Sequence, residues 1–147
     1  MDTRTRGPQA SDGRLAHGAT RWLGERAFRQ SDIPAVRRFA EAFGARAGIG
    51  SERLTDFVLA VSEAAACATA AGPCTARLRI WATGTRLFCE VRGDGVLLRR
   101  SAVGPRPGGR PGEEEALRRW VLRRLSDHVS VASGQSGAWV LFSMRLA

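Results

Sequence analysis

The chain has 147 residues and a formal net charge of +9, from 23 basic and 14 acidic residues. Hydrophobic residues make up 44% and charged residues 25%, an ordinary globular composition that excludes wholesale disorder and fibrous repeats. This length corresponds to one domain, which can bury a sizeable core without disulfides or metals. Every basic residue is arginine, as is typical of a high-GC genome, so we attribute much of the charge to codon usage.

Neither a membrane span nor a secretory signal is predicted. The longest nearly uncharged stretch, residues 57–76, contains Glu63 and is broken by Gly72 and Pro73, which leaves fewer helical residues than the roughly 20 that cross a bilayer. The first residues have no apolar core of the kind that a signal peptide needs. The three cysteines and two histidines lack the spacing of metal ligands, so no zinc site is expected. We therefore expect a soluble, cytoplasmic protein.

The polar, aperiodic residues 1–19 predict a flexible tail, and residues 20–147 predict a single domain. The domain begins with a strand over residues 20–29. Asp32 then has the character of an N-cap, and it starts a helix that ends near Gly48.

The second helix is predicted to start with Ser51 as its cap. Its apolar residues recur at helical spacing and define one buried stripe: Leu54, Phe57, Val58, Val61, Ala65 and Ala68. Two strand-like runs follow, over residues 76–83 and 87–92, and the Gly84-Thr85 pair between them predicts a hairpin.

A long connection over residues 93–112 follows, and seven of its last nine residues are Gly or Pro, which is typical of a lid or binding loop. A helix is predicted at about 113–126, with this buried stripe: Leu117, Trp120, Val121 and Leu125. Two final strands are predicted over residues 128–132 and 138–146. This order predicts an α+β two-layer sandwich, with helices on one face of a mixed, mostly antiparallel sheet.

Glu63 is the most informative single residue. At about 100° per residue, it lies opposite the apolar stripe of the second helix, and Cys67 lies beside it one turn later. The rest of that face is small and uncharged, which predicts that a ligand, the lid or a partner covers it. The alternative is an alanine-rich outer face on which Glu63 is simply exposed.

Three blocks resemble the ATP-binding regulatory proteins of the anti-sigma-factor serine-kinase family: VSEAAACATAAG at residues 61–72, EVRGDG at 90–95 and EEEALRRWVLRRLSD at 113–127. Their order and spacing extend the resemblance over about residues 20–147. It implies the histidine-kinase-like ATPase (Bergerat) fold.

The resemblance also implies roles for residues in the first block. In the family this block carries Glu-x-x-x-Asn, in which the Asn ligates magnesium and the Glu is the general base for a serine of the substrate protein. Glu63 matches the Glu, but Cys67 stands at the Asn position. A neutral thiol is a poor ligand for Mg²⁺, which prefers oxygen.

The other two blocks also depart from the family pattern. Gly93 stands where the family has the Asp that binds adenine, and Gly95 is kept, but Leu97 replaces the last glycine. A shift of one residue would bring Asp94 into the adenine-binding role. In the third block a Gly-rich turn binds phosphate, and here that position holds Arg118, inside the predicted helix.

These departures predict a degenerate nucleotide site that has lost its kinase chemistry, with no metal and no cofactor, and at most weak Mg-ATP binding. The resemblance implies a regulatory protein that binds a sigma factor or a STAS-type antagonist in a partner-switching pathway. The segment 34–43 is a candidate surface for homodimerisation. Two alternatives stay open: an active serine/threonine kinase of the same family with Glu63 as its base, and an Arg-rich nucleic-acid-binding protein.

Overall fold

The computed structural model describes residues 19–69, 75–93, 113–134 and 137–146. The predicted tail, apart from residue 19, and the predicted lid-like loop, apart from Gly93, lie outside the described residues. The described elements are the strand β1 (Arg21–Phe28), a 3-10 turn (Gln30–Asp32), the helices α1 (Ile33–Ala47) and α2 (Ser51–Ala68), the strands β2 (Ala76–Ala82) and β3 (Arg86–Gly93), the helix α3 (Glu113–Leu125), and the strands β4 (His128–Gly134) and β5 (Gly137–Arg145).

The described strands form one sheet in the order β1-β2-β3-β5-β4, and each neighbouring pair is antiparallel. Side chains alternate between its two faces, as the sequence of β2 predicted. Leu78 and Ile80 are fully buried in the core, whereas Arg77 and Arg79 lie on the opposite, open face. The predicted α+β sandwich is confirmed, and its sheet is antiparallel throughout the described strands.

Helix α1 begins and ends as predicted. Asp32 is its N-cap residue, although the Asp32 carboxylate turns back to accept the backbone N–H of Arg29 at 3.0 Å. The helix ends at Gly48, whose φ of 93° is a left-handed conformation that favours glycine.

The apolar side chains of the predicted dimer surface, residues 34–43, are used inside the protomer. Val36 is fully buried, and Phe39 and Phe43 pack against the core with their ring centroids 4.7 Å apart. A Cβ atom at Gly24 of β1 would lie 2.9 Å from both phenyl rings, so the missing side chain lets the strand approach α1 closely. Homodimerisation stays a prediction, without these side chains as its basis.

Helix α2 lies at the centre of the helical layer. Its apolar stripe is confirmed, with Phe57 fully buried against Phe142 of β5 at a centroid distance of 5.8 Å. The predicted cap is one residue out of place, because Gly50, with an extended backbone, is the N-cap and Ser51 is the first helical residue. The helix start needs only that extended backbone, which a glycine also supplies.

The middle of the sheet contains a buried thiol. Cys89 of β3 has no exposed surface, and its neighbours are core residues. Burial, and secondarily the charge of Glu90, raises the pKa of the Cys89 thiol well above its usual value.

Helix α3 corrects one prediction. Of its predicted buried stripe, Leu117 is 59% exposed and Trp120 is 56% exposed, whereas Leu122 is fully buried. The helix is rotated so that Leu122 and Leu125 face the core. Two pairs of arginines, at 118–119 and 123–124, are interspersed with the apolar residues of this helix, so the apolar residues alone could not define the rotation.

The contact between α1 and α2 generates a first prediction. A Cβ atom at Gly44 would lie 2.7 Å from Leu54 Cδ1 and 3.1 Å from Phe57 Cδ2. We expect Gly44→Leu to lower the free energy of unfolding by about 1–3 kcal/mol, because overpacking outweighs the gain in helix propensity. Urea denaturation measures this. The control is Gly84→Ala, where a Cβ would meet nothing within 4 Å; equal stability of the two variants would contradict the prediction.

Candidate functional site

Glu63 forms an ion pair with the last helix. It lies on α2 with 32% of its side chain exposed, and its Oε1 accepts a hydrogen bond from Arg118 Nη1 of α3 at 3.2 Å. The Arg118 side chain is 29% exposed, so water screens the pair only in part. The sequence places these residues 55 positions apart, and the structure brings together the expected general base and the residue at the expected phosphate turn.

A second ion pair joins the other ends of the same two helices. Arg53, near the start of α2, donates through Nη2 to Asp127 Oδ2 at 2.8 Å, just beyond the end of α3. The same carboxylate oxygen accepts the backbone N–H of Arg145 on β5 at 2.6 Å. Because the start of α2 meets the end of α3, the two helices run antiparallel with an ion pair towards each end.

Cys67 lies one turn after Glu63, as predicted. Its side chain is buried, at 6% exposed. In the part of the chain that the structure describes, no group of three or more His, Cys, Asp or Glu side chains could hold a metal ion. The thiol lies at the position to which the resemblance assigns the metal ligand, and within the described residues no such group surrounds it.

Gly93 ends β3 directly against the last turn of α2. A Cβ atom at Gly93 would lie 2.6 Å from the carbonyl oxygen of Ala68, a distance that real Cβ atoms essentially never show. The atom that fills this space belongs to the backbone, so it cannot move aside as the end of a flexible side chain could. At the position where the family has its adenine-binding Asp, this chain therefore has no room for a side chain in the described conformation. Asp94 and Gly95 lie outside the described residues.

The sequence analysis did not single out one buried carboxylate, that of Glu90. Glu90 is 5% exposed on the open face of the sheet, and its Oε2 accepts a hydrogen bond from Trp139 Nε1 at 2.6 Å. Arg79 and Arg92 lie 3.7 Å and 3.5 Å from its two oxygens. Alternation in β3 indicates the face, but nothing in the sequence indicates the indole partner. This cluster lies on the opposite side of the sheet from Glu63.

No helix among the described residues is long and apolar enough to cross a membrane, as the sequence predicted.

The close approach of Gly93 generates a second prediction. Gly93→Ala forces the end of β3 away from Ala68, so we expect the free energy of unfolding to fall by about 1–3 kcal/mol. Thermal and urea unfolding measure the loss. A variant as stable as the wild type would mean that the strand end shifts without cost, and the adenine position would then be open to a larger side chain.

The Asp127 cluster generates a third prediction. Burial acts to raise the pKa of Asp127, but the Arg145 N–H and the charge and hydrogen bond of Arg53 outweigh it, so the pKa is lowered. The resulting stability is present above the unfolded pKa of about 3.9 and is lost as the pH falls through the lower folded value.

We therefore expect Asp127→Asn to be less stable than the wild type at neutral pH, and the difference to shrink below about pH 4. Urea unfolding at neutral and acidic pH measures both. The control is Asp56→Asn, since Asp56 shows no ion pair within the described residues. A difference for Asp127→Asn that does not depend on pH would contradict the prediction.

Comparison with known proteins shows the family to which the chain belongs. The family model for the histidine kinase-like ATPase domain matches residues 27–144, which is well over half of the chain. No curated protein matches the chain. The matched range includes every described element except the first part of β1 and the last residue of β5. The antiparallel sheet covered by helices on one face agrees with that fold. The chain belongs to the histidine kinase-like ATPase domain family.

Proposed function

We propose that this protein is a cytoplasmic regulator that acts by binding a protein partner, a sigma factor or a STAS-type antagonist, in a partner-switching pathway. In this proposal its nucleotide site is degenerate and its kinase chemistry is lost. The observation that carries the proposal is the ion pair between Glu63 and Arg118.

The ion pair changes what Glu63 can do. A general base must accept a proton from the substrate hydroxyl at hydrogen-bond distance. In this chain one oxygen of the Glu63 carboxylate already accepts a guanidinium N–H at 3.2 Å. Arg118 thus places a positive charge directly against this carboxylate. The pair links two helices, which is a structural use of the residue.

The metal position gives independent support. Mg²⁺ demands oxygen ligands in near-octahedral geometry, whereas Cys67 offers a buried sulfur. The adenine position gives further support, because Gly93 has no room for a carboxylate in the described conformation. The residues present do not fit Mg-ATP in the manner that the resemblance implies.

The fourth prediction tests the loss of nucleotide chemistry. We expect isothermal titration of the purified protein with ATP or ADP, with and without Mg²⁺, to give no binding at millimolar nucleotide. We also expect no phosphate transfer from ATP to STAS-type proteins of the same organism. Glu63→Ala serves as the matched variant, since it removes the candidate base. Micromolar ATP binding, or transfer that Glu63→Ala abolishes, would overturn the degenerate-site proposal in favour of an active kinase.

Partner binding is tested separately, by titrating purified sigma factors and STAS-type proteins of the same organism against the chain at low and moderate salt. A specific protein complex is expected to survive moderate salt. Binding to single- or double-stranded DNA that falls steeply with the logarithm of salt concentration, without any protein complex, would favour the nucleic-acid alternative.

A further inference from the structure

Three of the four exposed large hydrophobic side chains in the described part of the chain lie on α2 and α3, the two helices that the Glu63–Arg118 ion pair joins. Leu117 and Trp120 of α3 are 59% and 56% exposed, and Leu59 of α2 is 47% exposed. Leu117 is next to Arg118 in sequence, and Leu59 lies one helical turn before Glu63. Leu117 and Trp120, three residues apart, lie on one face of α3.

The later turns of α3 are cationic. The helix begins with three glutamates, and residues 116–125 then contain four arginines and no acidic residue. Arg118 is neutralised by Glu63, but Arg123 and Arg124 in the last turn are exposed. The Arg124 guanidinium lies over the Trp120 ring, 5.4 Å from its centroid, within the range of a cation–π contact. That contact covers one face of the indole and holds the ring in place on the helix.

A tryptophan and an arginine in contact on a helix surface are the residue types that dominate binding energy at protein interfaces. We infer that the outer face of α3, defined as Leu117, Trp120, Arg123 and Arg124, is a docking surface for an acidic, amphipathic segment of a protein partner. The apolar side chains of that segment would cover Leu117 and Trp120, and its carboxylates would pair with the two arginines. This inference rests on the proposed partner-binding function and names the surface and the chemistry of the partner.

The charges and the size of the surface favour this occupant. A second copy of the chain would bring Arg123 and Arg124 of two protomers together, which like-charge repulsion opposes. A membrane-binding helix needs a broad apolar face, whereas α3 exposes two large apolar side chains and buries Leu122 in the core.

The fifth prediction uses synthetic peptides as probes. One is an acidic amphipathic helix with Glu on its polar face and Leu at i, i+3, i+4 and i+7, and the other carries Lys in place of each Glu. Fluorescence anisotropy is expected to show micromolar binding of the acidic peptide and none of the basic one. Trp120→Ala is expected to weaken binding at least about tenfold, as for a hot-spot residue. The double change Arg123→Glu with Arg124→Glu is expected to abolish it.

Trp22→Ala is the matched control, because Trp22 is also exposed, at 39%, but lies on the sheet. It should bind the acidic peptide within about twofold of the wild type, less than the threshold for a hot spot. Circular dichroism checks that each variant folds. The inference is overturned if the acidic peptide does not bind, if Trp22→Ala weakens it as much as Trp120→Ala, or if phosphatidylserine vesicles bind through this surface and the peptide does not.

The two proposals fail separately. If a sigma factor or a STAS-type protein binds the wild type and Trp120→Ala equally well, partner binding stands and the docking surface is wrong. If no such protein binds the wild type, the proposed function fails, whatever the peptides do.

Discussion

The close packing of one helix constrains the rest of this structure. Helix α2 contacts α1 on one side, α3 on the other and the sheet beneath it. Its buried face is built largely from alanines, which are fully buried at positions 60, 64, 65 and 68. Small side chains allow neighbouring backbones to approach closely, and the core is dense enough that each approach limits what its neighbours can be. The candidate site is formed by the outer edge and the last turn of this helix.

The chemistry of the candidate site follows from the packing of α2. At the last turn, the carbonyl oxygen of Ala68 fills the space in front of Gly93. In the same turn Cys67 is packed away from solvent, and about one turn earlier Glu63 pairs with Arg118. Three positions that the family resemblance assigns to adenine, metal and catalysis are thus used for contacts between elements of the protein itself. The proposal of a regulator without kinase chemistry rests on these three contacts together.

The sequence predicted the fold well and the site only in part. The sequence located every described helix and strand except the 3-10 turn before α1. All residues of the predicted α2 stripe are buried or packed against the core, because few other positions of that helix carry large apolar side chains. The same method failed on α3, where Leu117 and Trp120 were assigned to the core. Four arginines among its apolar residues make several rotations of that helix equally amphipathic, and only the packing partner decides among them. The Glu63–Arg118 and Glu90–Trp139 contacts join residues far apart in the chain, and no local pattern carries that information.

The thiol of Cys89 can report how often the centre of the molecule opens. It lies in the strand that joins the β1-β2 side of the sheet to β5 and β4, with no surface exposed and its pKa raised. A thiol reagent attacks the thiolate, which in the closed sheet is both inaccessible and scarce. Because the Cys89 side chain lies in the core between the sheet and the helices, its reaction must wait until that packing opens. The alkylation rate at this sulfur therefore measures how often the core of the molecule opens.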